Sequence, residues 1–359
     1  MVLSLNKEQK QNCFSHLRGL LDARIAGAQE YFLNVGGVKT VRVISCSPEA
    51  APMIRHQLAW SLTSPVSKPD ATLVLWRDTV DGEFHRRALG LDIDDDGSGE
   101  NLILALREDG GLRTFGEFSY ENRTALLTDG DTSYYCVESF EAEEWIKEGH
   151  LFVHWLYRVA DTPASHLVHG ACIGMGGSGV LMCARGQRGK STLAVTAMLR
   201  GFEYVSDDYL ILENSDEGLT ASPIYSIITL SPRMYAALYD DLDRARFICN
   251  NARKDKYVFD ISGYADALRR NYPVRACIFP EIDTSLSEAV IEPCTAAQKG
   301  RAITHLIHST VMQMQVQGDA STVRKLIGML QGLPFYSMRL CPDIFGNVET
   351  LRKFLLSCK

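Results

Sequence analysis

No stretch of this chain stays apolar for the length that a bilayer demands, which excludes an α-helical membrane span. Positive charge is also scarce: 37 Lys and Arg stand against 44 Asp and Glu, a net charge of -7. That balance argues against a nucleic-acid partner held by electrostatics. Ten cysteines are present, but none forms a Cys-x-x-Cys pair, and several lie in apolar, strand-like runs. They read as reduced, buried thiols of a cytoplasmic protein and not as a disulfide framework. Met1 to Lys10 is polar and lacks the apolar core of a signal peptide. Neither an internal repeat nor a low-complexity tract is present. What is there is a 46% hydrophobic composition over 359 residues, enough for a sizeable core and for two domains of ordinary size.

The most informative stretch is Val180-Leu-Met-Cys-Ala-Arg-Gly-Gln-Arg-Gly-Lys-Ser-Thr192. An apolar run, Val180 to Cys183, leads into a short loop of small and basic residues. A helix then opens at Lys190-Ser191-Thr192 and continues to Leu199. This is the order a phosphate-binding loop requires. Loop N–H groups face an anion, and the helix N-terminus adds partial positive charge. Lys190 reaches the outer phosphates and the Ser191 hydroxyl is placed for Mg²⁺. Of the pattern G-x-x-x-x-G-K-[ST], Gly189, Lys190 and Ser191 are present. Ala184 stands at the first glycine, which is acceptable only if that position does not need a positive φ. The nucleotide contacts expected are Gly186, Gln187, Arg188, Gly189, Lys190, Ser191 and Thr192. The plain alternatives are a solvated lysine and an ordinary capping serine at a helix start.

Both flanks fit this reading. Upstream, His166-Leu-Val-His-Gly170 leads into a strand at Ala171–Ile173, and a Gly-rich turn returns the chain to the loop strand. Downstream, the helix ends at Arg200-Gly201. One strand is then expected over Tyr204-Val-Ser-Asp-Asp-Tyr-Leu-Ile-Leu212. Its adjacent carboxylates, Asp207 and Asp208, need partners if the run is buried, and Mg²⁺ and a substrate hydroxyl are suitable ones. They face opposite sides of a continuous strand, so one can meet the nucleotide and the other the acceptor only where the strand ends.

His169-Gly170, the loop ending Gly189-Lys190-Ser191, and Ser206-Asp207-Asp208 resemble the catalytic domain of HPr kinase/phosphorylase and, more broadly, the HPr-kinase-related kinases. The resemblance covers about residues 160 to 355, including a closing helix and strand over Leu326–Leu340. It implies a P-loop core similar to phosphoenolpyruvate carboxykinase, a mixed sheet with flanking helices, and ATP and Mg²⁺ as cofactors. It also implies that one of Asp207 and Asp208 is the general base and the other a Mg²⁺ ligand beside Ser191, with His169 next to the active site; the base is assigned here to Asp207 and the metal to Asp208, the reverse assignment staying open. The chain departs from HPr kinase at Arg185, Gln187 and Arg188 within the loop and at Thr192, where that enzyme carries an acidic residue. The family's second signature, an acidic-Ile-Arg-Gly-Leu-Gly-like run, is missing. These departures point away from HPr itself as acceptor.

The N-terminal part reads as an accessory α+β domain. A helix is expected over Gln9–Ile25, then a hairpin with its turn at Gly36-Gly37. A helix follows from Ser47 to about Leu62, a strand at Ala71–Trp76, and an antiparallel meander over 83–139. A helix over 141–159 bridges to the second domain. Later expectations are a strand over Pro223–Leu230, a helix from Ser231-Pro232, strands at Arg275–Ile282 and Ala289–Glu292, and a helix over Thr295–Met314. A helix, strand and helix close the chain, and residues 240–256 have no clear assignment.

Other side chains carry weaker signals. Arg185 and Arg188 can serve as charge-stabilising arginines or stay solvated. Arg253, Lys254 and Lys256 can close over the phosphates, but they read first as a solvated basic turn. Asp92-Ile-Asp-Asp-Asp-Gly97 begins like an EF-hand loop, but Ile103 stands at its twelfth position, so it reads as a turn. His150 and His154 are four apart on the expected bridging helix, but no third zinc ligand follows.

The expectation is therefore an α/β protein: an α+β domain over 1–140, a candidate for acceptor recognition, and an ATP-binding catalytic domain over 141–359. Its expected activity is transfer of the γ-phosphoryl group to a hydroxyl, that of serine or threonine in a peptide or small protein. Catalysis would rest on Asp207, His169 and Lys190. A small-molecule kinase and a nucleotide-binding regulator without transfer are the alternatives, and a homo-oligomer is an open option.

Overall fold

The computed structural model describes residues 1–359 except 93–100, 109–110, 121, 141–149, 252–254, 314–319 and 358–359. The chain forms two compact units. One comprises Met1–Asn34, Thr40–Arg55 and Leu62–Leu151, the other Val35–Lys39, His56–Ser61 and Phe152–Lys359.

The first unit contains β1 (Val2–Leu5), α1 (Lys7–Ile25), β2 (Gln29–Val35), β3 (Lys39–Ser45), α2 (Ala51–Gln57), β4 (Leu62–Thr63), β5 (Ala71–Arg77), α3 (Phe84–Leu89), β6 (Leu102–Glu108), β7 (Gly111–Ser119), β8 (Thr124–Asp129) and β9 (Thr132–Val137), except that Val35, Lys39 and the last two residues of α2, His56 and Gln57, belong to the second. Asn6 caps α1 reciprocally: its side chain accepts from the Gln9 N–H at 2.8 Å, and Gln9 Oε1 accepts from the Asn6 N–H at 2.9 Å. Two donors that a helix start leaves open are thereby satisfied. Helical spacing puts Cys13, Phe14, Leu17 and Leu21 on the buried side, in one core with Leu104, Phe115 and Tyr134. Each fully buried leucine there contributes about 1.5–3 kcal/mol. The sheet order is β1-β6-β7-β8-β9-β5-β3-β2-β4. The β6-to-β9 meander is antiparallel, but β1–β6, β3–β5 and β5–β9 are parallel. The expected antiparallel meander thus accounts for only part of a mixed sheet. The apolar run Leu73–Trp76, buried throughout, is what an inner strand covered on both faces requires.

The helix expected to reach Leu62 stops at Gln57. Within the second unit, which takes in His56–Ser61, Ser226 bonds the backbone groups that would continue it. Its N–H donates to the Gln57 carbonyl, and its Oγ accepts from Ala59 N–H and donates to the His56 carbonyl. The same pinning interrupts the strand expected over 223–230. The described part of the bridging helix is α4 (Val153–Ala160). His150 lies ahead of it, so the two histidines do not share a helix. Residues 93–97 of the EF-hand-like run, and Arg253 and Lys254, lie outside the described residues.

The second unit continues with β10 (Ser165–His169), β11 (Ala171–Met175), β12 (Ser178–Met182), α5 (Lys190–Leu199), β13 (Glu203–Ser206), β14 (Tyr209–Ser215), β15 (Gly218–Pro223), β16 (Ile227–Leu230), α6 (Pro232–Leu238), β17 (Arg246–Asn251), β18 (Lys256–Asp260), β19 (Tyr272–Ile282), β20 (Val290–Pro293), α7 (Ala296–Gln313), α8 (Ala320–Leu330), β21 (Phe335–Leu340) and α9 (Ile344–Ser357). Its main sheet runs β10-β14-β15-β19-β12-β11-β13, with β21 on β19 and β20 on β21. Pairs β12–β19 and β19–β21 are parallel and the others antiparallel. This is a mixed α/β architecture.

Successive residues of the central strands serve opposite cores, as the two-residue period of a strand dictates. Val180, Met182, Ala276 and Ile278 pack with Leu193, Ala197 and Met198 of α5 and Val348 and Leu351 of α9. Leu181, Cys183, Cys277 and Phe279 pack with Ala302 and Leu306 of α7 and Leu326 and Leu330 of α8. Helices therefore cover both faces, and the loop after β12 emerges between them. The unassigned segment 240–256 supplies β17 and leads into β18, which join β16 in a small antiparallel sheet. Among the described residues no disulfide forms, and no helix is long and apolar enough to cross a membrane.

Candidate functional site

The turn 183–189 joins β12 to α5. Gln187 and Gly189 have φ of 62° and 92°, the left-handed region that costs a side chain energy. At Gly189 a Cβ would also stand 2.5 Å from Leu340 Cδ1. Ala184, at the first position of the pattern, is buried and has no positive φ, so its methyl group is accommodated without backbone strain.

Lys190 opens α5 and is buried. Its Nζ folds back under the turn and donates to the carbonyls of Ala184 at 2.8 Å and Arg185 at 3.1 Å. Burial pulls its pKa below the ordinary lysine value, while the charges of Asp208, Cys183 and Asp207 oppose that shift. An ammonium group here has given up water for two carbonyls and nearby carboxylates, an arrangement receptive to anionic oxygen.

The expected strand over 204–212 is broken at Asp207-Asp208. Strand β13 pairs with β11 and β14 with β10, so the two carboxylates occupy the point where the chain changes neighbours. The break releases them from strict alternation. The Ser191 hydroxyl donates to the Asp207 carbonyl at 3.3 Å, and the Gly170 N–H donates to the Asp208 carbonyl at 2.8 Å.

Asp207 is only 3% exposed. Its Oδ1 accepts from the Tyr204 hydroxyl at 3.0 Å, and Oδ2 has no hydrogen-bond partner among the described residues. Burial, then the adjacent Asp208 charge, raise its pKa to about 7 against the pull of Tyr204, Lys256 and Ser191. Asp208 is more exposed and pairs through Oδ1 with His169 Nε2 at 2.6 Å. A carboxylate only accepts, so Nε2 carries the proton. Helix α7 fixes this histidine: Thr310 Oγ1 accepts from the His169 N–H at 3.0 Å, and Ser309 Oγ donates to its carbonyl at 3.5 Å.

Lys190, Ser191, Asp207, Asp208 and His169 thus form one connected group. Gly186, Gln187 and Arg188 are exposed on the turn, and Thr192 is half-buried in the first turn of α5. Arg185 does not join the carboxylates; its Nε donates to His305 Nδ1 at 3.2 Å. Sequence reasoning missed Tyr204, Thr310 and His305 and read Lys256 as part of a solvated turn. The signal for Tyr204 was its place three residues ahead of the acid pair. Thr310 and His305 lie more than a hundred residues from their partners, and no local pattern marks them.

Among the described residues no group of three or more His, Cys, Asp and Glu surrounds a metal position. The Ser191 hydroxyl and the half-buried Asp208 carboxylate are hard oxygen donors. That set fits Mg²⁺, which takes one or two protein oxygens and completes its shell with water and phosphate.

No family model matches the chain, and no curated protein matches it. Among solved structures, the Hpr(Ser) kinase/phosphatase from Coxiella burnetii aligns over 54% of this chain and 95% of its own, with 13% identity and a TM-score of 0.28. A likeness of that size carries nothing further about fold or function.

Proposed function

We propose that the second unit binds Mg-ATP at the 184–191 turn and transfers the γ-phosphoryl group to a hydroxyl of a peptide or small protein. The first unit is proposed to contribute to acceptor recognition. The observation that carries this reading is Asp207. A buried carboxylate with one oxygen unpartnered among the described residues and a pKa near 7 is matched to general-base work. It is tied through Ser191 to a helix start built like a phosphate site.

Each residue then has a defined task. Turn N–H groups and Lys190 neutralise the phosphate oxygens, and α5 adds its N-terminal dipole. When bound, Mg²⁺ would be held by Ser191 and Asp208 and would supply charge neutralisation at the phosphates. His169 holds Asp208 in place through the 2.6 Å pair. Asp207 accepts the proton of the acceptor hydroxyl as its oxygen bonds to the γ-phosphorus. The bond from phosphorus to the bridging oxygen breaks, and that oxygen keeps the electron pair on departing ADP.

Incubation with γ-labelled ATP, Mg²⁺ and a cell lysate tests the reading. Label in a protein or peptide band that is lost in Asp207→Asn supports it. Label only in small molecules would replace the acceptor class, and binding without transfer to any acceptor would leave a nucleotide-responsive regulator.

A further inference from the structure

The turn and helix α7 bring basic groups together on one rim beside the site. Arg185 donates to His305, and the His305 ring lies on Phe279 with centroids 5.7 Å apart and planes 28° apart. The Arg301 guanidinium sits 5.9 Å from the same ring centroid. Burial, then the charges of Arg185, Arg188, Arg301 and His308, hold the His305 pKa below the ordinary histidine value. Arg185, Arg188 and Arg301 are exposed, and among the described residues none of the three forms an ion pair with a carboxylate.

A chain with a net charge of -7 has acids to spare, yet among the described residues these arginines converge without a carboxylate in ion-pair contact. Like charges held together repel, and the cost is recovered when an anion binds. The turn's own phosphates do not account for the whole rim. Lys190 is directed under the turn, whereas Arg185 leaves it towards α7. From Arg301 to His308 the helix rises about 10 Å, roughly the span of three extended residues. A single small anion would not cover that length.

We propose that this rim binds carboxylate side chains flanking the acceptor hydroxyl, so that the preferred acceptor is a serine or threonine in an acidic peptide segment laid along α7. The inference rests on the phosphotransfer reading above and specifies its substrate class. The proton still goes to Asp207 and ADP still leaves; the rim positions the acceptor and touches no reacting atom.

The test uses the full chain, γ-labelled ATP and three peptide pools, each with one central serine flanked by Asp and Glu, by neutral residues or by Lys. The expected result is labelling of the acidic pool at least about tenfold above the others, with the preference eroding as salt rises. Arg301→Glu should remove that preference and leave affinity for a fluorescent ATP analogue unchanged. Equal labelling of all pools overturns this inference and leaves phosphotransfer standing. So does an Arg301→Glu variant that weakens ATP binding but keeps the acidic preference, because the rim would then serve the nucleotide. ATP binding with no pool labelled overturns transfer to peptides and this inference with it.

Discussion

The Ser191 hydroxyl donates to the backbone carbonyl of Asp207 across 3.3 Å. This bond ties the first turn of α5 to the switch between β13 and β14. The residue that follows the buried lysine and the residue with the buried carboxylate are thereby held in one frame. Geometry of this kind would let the proposed base be positioned by the element proposed to hold the phosphates.

Replacing Asp207 by Asn should separate activity from stability. Loss of the base should lower transfer by about 10²–10⁴-fold. The folded carboxyl has a pKa near 7 against an ordinary 3.8, so the folded state binds its proton more tightly than the unfolded chain does. Its stabilising contribution is full below about pH 4 and is lost as pH rises through about 7. The Asn variant avoids that loss. Its thermal midpoint should match wild type near about pH 4 and exceed it at about pH 8, read by calorimetry across pH. A constant difference at every pH would contradict the assignment.

On the proposed mechanism the same group sets the rate profile. A base must be ionised to work, so kcat/KM should climb with pH and level off above about 7. Tyr204 donates to Asp207 Oδ1 and favours its ionised form. Tyr204→Phe should move the acidic limb to higher pH, while the plateau above it changes less. A limb left in place would show that another group titrates.

Two glycines of the turn should respond differently to alanine. Gly189 combines a φ of 92° with the nearby Leu340 methyl, so Gly189→Ala should cost about 1–3 kcal/mol. Gly186 has no positive φ, and a Cβ there meets nothing within 4 Å. Gly186→Ala should change stability by less than about 0.5 kcal/mol. Urea midpoints of the two variants check this.

The sequence made some of this visible and hid the rest for physical reasons. The loop and α5 were legible because Val180–Cys183 is a short apolar run followed by Gly189-Lys190-Ser191, a local pattern with a local cause. The closing helix, strand and helix were legible for the same reason. The break at Asp207-Asp208 was not, because Tyr204–Leu212 has the apolar content of one strand and only pairing with β11 and β10 divides it. The end of α2 was hidden because Ser226, far along the chain, takes its backbone groups. Strands β17 and β18 sit in a charge-rich segment whose alternation is weak, and they are defined by pairing with each other and with β16.

Calorimetric titration of Mg-ATP into the wild type, Lys190→Ala and Asp207→Asn tests the central claim most directly. A nucleotide seated on the 184–191 turn predicts tight binding to the wild type, equal binding to Asp207→Asn, and affinity at least about tenfold lower for Lys190→Ala. Undiminished binding by Lys190→Ala, or no heat of binding in the wild type, would contradict it.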